Sequence, residues 1–97
     1  MYSNEDVASV YGFLNNTPEG SLRKMLVDKE FTEVHFRLMM KMAKNSSEAD
    51  FIEAFQNESF PKFSMSANEL KVKEKVWDLG KRKLASMGLL NLSQSAA

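Results

Sequence analysis

The sequence holds no cysteine. Disulfides, thiol nucleophiles and zinc sites built on thiolates are therefore excluded. Glycine is scarce and scattered, four in 97 residues, and no G-x-x-x-x-G-K or G-x-G-x-x-G loop is there to cradle a phosphate. No serine stands in a G-x-S-x-G setting, and the acids and glycines do not follow the calcium-loop spacing of an EF-hand. No apolar run exceeds three residues, against the roughly 20 that a membrane helix needs. No Lys or Arg precedes Arg23, so the positive start and apolar stretch of a secretory signal are both missing. A cytoplasmic chain without a membrane segment is the expectation. No catalytic residue, cofactor, metal ligand or small-molecule substrate is assigned, and an enzyme is not expected.

What is present is an ordinary globular balance, 43% hydrophobic and 27% charged, which argues against wholesale disorder. The length suits one core. A single helical domain over 1–92 is expected, with the tail SQSAA, 93–97, fraying for want of anything to bury. The net charge of zero hides an asymmetry. Residues 1–60 carry six basic and ten acidic side chains, and residues 61–97 carry seven and three. Such a dipole steers a charged partner or draws the two halves together.

Every assignable segment reads helical. Ser3 and Asp6 form a capping pair before Val7, Val10, Tyr11 and Leu14 at helical spacing. Thr17-Pro18-Glu19 reads as a cap, a first-position proline and a first-turn acid. Residues 32–44, TEVHFRLMMKMAK, are apolar over more than half the helical wheel, with Glu33, Arg37, Lys41 and Lys44 as the polar strip. Ser46-Ser47 with Asp50 caps a fourth helix that carries Phe51, Ile52 and Phe55 to about Asn57. Pro61 interrupts, and Phe60 and Phe63 are expected to tuck into the core. Ser66 and Glu69 make an S-x-x-E capping box for a last helix over about 67–87. Leu70, Trp77 and Leu84 lie on one edge of that helix, and Val72, Val76, Leu79 and Met87 on another. Gly80 sits between the edges. Glycine costs a helix about 1 kcal/mol against alanine, so its place there implies close approach by another helix. Gly88 ends the helix, with Leu89 packing back over the last turn. The expectation is an all-α bundle of four to five short helices with the C-terminal helix central.

Candidate functional residues come from three features. His35 lies on the apolar side of the third helix, away from Glu33 and Arg37, and reads as structural. Seven methionines are many for 97 residues, and methionine both fills gaps and lines adaptable binding surfaces. Phe36, Met39 and Met40 are therefore the candidate protein-binding residues. Lys81, Arg82 and Lys83 form the compact basic patch and are the candidate nucleic-acid contacts, although cations near a helix C-terminus also favour its dipole.

The run SANELKV, 66–72, with Asp78 following, is similar to a stretch of the Hha/YmoA family of small helical proteins that modify nucleoid-protein filaments. The likeness covers about a dozen residues, and no site residue is carried over from it. The expected function is non-enzymatic: a small intracellular adaptor, regulator or inhibitor that docks on another protein or on a second copy as a homodimer. The alternative is a nucleic-acid-associated regulator using the basic C-terminal half.

Overall fold

A computed structural model of the chain describes residues 2–60 and 64–90. Five helices follow in order: α1 Asn4–Asn16, α2 Glu19–Leu26, α3 Glu33–Asn45, α4 Glu48–Asn57 and α5 Ala67–Ser86. The protein is an all-α bundle. Phe63 and the tail 93–97 lie outside the described residues.

Local chemistry starts most of these helices where the capping residues stand. The hydroxyls of Ser3, Ser47 and Ser66 each accept the backbone N–H three residues on, all at 3.1 Å, which satisfies one of the free amides of a first turn. At Ser66 the box closes, because Glu69 accepts the Ser66 N–H at 2.9 Å. The second helix begins one residue later than the sequence implies: Pro18 is its cap and Glu19 its first residue, with no side-chain cap bond. Thr17 instead closes α1 in extended conformation.

The third helix is capped by an unexpected pair. The Thr32 N–H donates to His35 Nδ1 at 3.0 Å, and the Thr32 hydroxyl lies 2.9 Å from the same nitrogen. An N–H can only donate, so Nδ1 is unprotonated and the imidazole proton sits on Nε2. His35 is buried, stacks on Phe31 at 5.6 Å, and burial holds its pKa below the usual histidine value. The structural role expected for this histidine is a specific one: it takes the place that glutamate or glutamine fills in an ordinary capping box.

The hub of the bundle is α3 rather than the C-terminal helix. The third helix packs against all four others, and its most extensive contact is with α5. At Gly80 the packing is tight: a Cβ there would meet Met39 Sδ of α3 at 3.3 Å and Cε1 of Phe31, just before α3, at 3.5 Å. From α5, Trp77 reaches α4, edge-on to Phe51 and Phe55 with centroids 5.9 and 5.3 Å away. Its indole N–H donates to the Ser59 carbonyl at 3.1 Å. Phe60, half-buried, stacks on the same indole. The first helix ties off the end of α3: Tyr11 Oη–H donates to the Ser46 carbonyl at 2.8 Å, and Asn15 Nδ2 to that of Ala43 at 3.1 Å.

The last helix ends as its sequence implies. Gly88 takes φ +79°, its N–H donates to the Ala85 carbonyl, and the Leu89 N–H to that of Leu84, both at 3.0 Å. That is a Schellman ending, with glycine at the left-handed position. One expectation fails at the other end of α5. Leu70 is 52% exposed, while Glu69 beside it is buried. Glu69 takes the buried place because it is committed to the Ser66 N–H and to Lys41, whose ammonium lies 2.7 Å away.

Candidate cleft beside the third helix

The polar strip of α3 borders a shallow cleft of about 230 Å³. Phe36 and Met40 make its floor; Arg37, Lys41, Lys44 and Asn45 rise from α3 around it, and Glu19 closes the α2 side. The spacing explains the grouping. Positions 37, 40, 41 and 44 fall on one helical face, so the cations of the strip flank the edge of the apolar stripe. Neither floor residue stands out from the surface: Phe36 is 0% exposed and Met40 6%. Phe36 is covered by the Arg23 guanidinium, 5.1 Å above its ring.

Arg23 is held there by acids on both sides. Its Nε and Nη2 donate to Glu33 at 2.9 and 3.1 Å, and Nη2 also to Glu19 at 3.1 Å. This fork keeps the Glu33 carboxyl below the usual glutamate range. The α2 side of the cleft is thus a fixed wall.

The α3 cations differ in how free they are. Lys41 is tied to Glu69, whose carboxyl is held below its usual range first by Lys41 and then by the Ser66 N–H. Lys41 Nζ also donates to the Ser64 carbonyl at 3.3 Å. Arg37 pairs with Glu33 at 3.6 Å, and its side chain is 62% exposed. Lys44 is exposed and reaches the Asn15 carbonyl at a long 3.4 Å.

Of the three residues singled out as protein-binding candidates, the structure brings Phe36 and Met40 together and separates Met39. Met39 turns to a different face, against Gly80, and is fully buried in the α3–α5 contact. The residues that border the opening, Arg37, Lys41 and Lys44, were legible as the polar strip but not as the rim of an apolar floor.

The basic triplet is divided. Lys81 leans back over the Phe55 ring at 5.1 Å and pairs with Glu58 at 3.0 Å. Arg82 pairs with Asp78 one turn before it, at 2.6 Å. Lys83 pairs with Asp28 at 2.5 Å. Asp28 also accepts the N–H groups of Glu30 and Phe31, and with Lys83 foremost these partners lower its pKa to about 2. Arg82 and Lys83 do border a second cleft of about 250 Å³, but Asp28 and Glu30 line it with them. That cleft is electrically mixed.

Among the described residues, no group of three or more His, Asp or Glu is placed to hold a metal ion. Nor is any helix of the described residues long and apolar enough to cross a membrane. Comparison with protein-family models, with curated proteins and with solved structures finds no match for this chain.

Proposed function

We propose that this protein is a binding module without chemistry of its own, docking another protein through the cleft beside α3. The observation that carries the reading is the pairing of an apolar floor, Phe36 and Met40, with two exposed cations: Arg37, whose Glu33 partner lies at 3.6 Å, and Lys44, which reaches the Asn15 carbonyl at 3.4 Å. Interfaces are built this way, with an apolar anchor site inside a polar rim. The volume also speaks for a side chain over a cofactor, since small-molecule sites run to about 300–1,000 Å³. The small apolar opening means that charge sets much of the specificity and encounter rate.

The alternative, phosphate binding through Lys81, Arg82 and Lys83, lacks a comparable support. Each of those cations has a carboxylate within 3.0 Å, so a nucleic acid would have to displace three internal acids. Two variants separate the readings: Arg37→Glu/Lys44→Glu, and the triple Lys81/Arg82/Lys83→Ala. Both are assayed for partner capture from the native host and for shift of a generic duplex at two salt concentrations. Loss of capture in the first variant alone supports docking at α3. A salt-sensitive duplex shift lost in the triple variant, with capture unaffected by the first, overturns it.

A further inference from the structure

We infer that the cleft reads an acidic helical segment in which two carboxylates seven residues apart bracket one large apolar side chain. This rests on the docking reading and adds the chemistry of the occupant. Lys41 is not available to a ligand, because drawing it away leaves the buried Glu69 carboxylate without its cation. The reading groups are then Arg37 and Lys44, with the Met40 floor between them.

These three stand at i, i+3 and i+7 of α3, so they share a face. The two cations are separated by about 10.5 Å along the axis at 1.5 Å per residue. A second helix laid along α3 meets them with acids at the same spacing and an apolar side chain three or four residues from each. An extended segment does not: its same-face side chains recur at about 6.6 and 13 Å. A second copy of this chain is not the occupant either. No two Asp or Glu residues in the sequence stand seven apart, so the chain does not present the pattern that its own cleft fits.

The test uses the full chain and an alanine-rich helical host peptide, long enough to be helical alone. The two end positions, seven apart, and the central position between them are randomised, displayed and selected. The inference expects Asp or Glu at both ends and Leu, Met or Phe at the centre. Binding should fall by about tenfold or more in Arg37→Glu/Lys44→Glu, and that variant should itself select Lys or Arg at the ends. Asn45→Trp, an exposed rim position, plugs the cleft without entering the core and should abolish both selections. If an apolar centre is enriched with no acidic preference, and Asn45→Trp still blocks it, docking at the cleft stands and this inference falls. If nothing that Asn45→Trp blocks is enriched, both fall.

Discussion

Gly80 offers the sharpest test of the packing. Two substitutions isolate it, because alanine and leucine have nearly equal helix propensity and both relieve the glycine cost of about 1 kcal/mol. Any difference between them is therefore steric. In Gly80→Ala the new methyl lies 3.3 Å from Met39 Sδ, a few tenths of an ångström too close. That sulfur is near the end of a flexible chain and gives way, so the gain in propensity and the cost of the shift nearly cancel. Gly80→Leu adds three further carbons beside Met39 and Phe31, both buried to within 1% and already within 3.5 Å of the first carbon. Overpacking of this kind costs about 1–3 kcal/mol. The leucine variant should fall below the alanine variant by that amount, about 4–8 °C in Tm for each kcal/mol in a domain of this size. Urea unfolding followed by Trp77 fluorescence measures it. A leucine variant as stable as the alanine one refutes the α3–α5 contact.

Two other glycines should respond in opposite directions. Gly88→Ala should cost about 1–2 kcal/mol because its φ is +79°. Gly20→Ala, with nothing within 4 Å of the new Cβ, should stabilise by about 0.5–1 kcal/mol in thermal unfolding. The Thr32–His35 cap predicts a pH dependence whose sign follows from burial. His35 binds its proton less readily folded than unfolded, so its contribution is complete above the unfolded pKa of about 6.5. It is lost as pH falls through that value towards the depressed folded one. His35→Gln, which accepts the Thr32 N–H without titrating, should flatten unfolding free energy between pH 7.5 and 5.5, and an unchanged slope would exclude this role. Asp28 acts in a lower window, its stabilisation being lost between its ordinary value near 3.8 and about 2. Lys41→Met should destabilise by more than about 1 kcal/mol by stripping the Glu69 carboxylate of its charged donor. Lys41→Met/Glu69→Gln should lose less than the two single changes together.

Much of the fold was legible because its signals are local. Ser3, Ser47 and Ser66 cap where their spacing to the following acid implies, and Gly88 with Leu89 ends α5 as read. Gly80 was legible as a close approach because a glycine in an apolar arc has few other uses. What escaped was chemistry that depends on distant partners. Glu69, not Leu70, is the buried one of the two, and it is met there by Lys41, 28 residues away. The basic triplet looks like one patch in sequence, yet Lys81 and Lys83 are claimed by acids 23 and 55 residues away. Met39 and Met40 are neighbours that 100° of helical turn sends to different faces, one into the α3–α5 contact and one to the cleft floor. The Thr32–His35 cap was missed because histidine is not the residue a capping box normally shows.

Docking at α3 is tested most directly by a photo-activated cross-linking residue placed at Asn45 on the cleft rim, and separately at Lys75 on the outer face of α5, in the native host. Both positions are exposed, so accessibility does not decide the outcome. Illumination should yield a discrete protein adduct from position 45 and none from position 75, with the cross-linked partner segment helical and rich in Asp and Glu. A protein adduct from position 75 with none from 45 would contradict docking at the cleft.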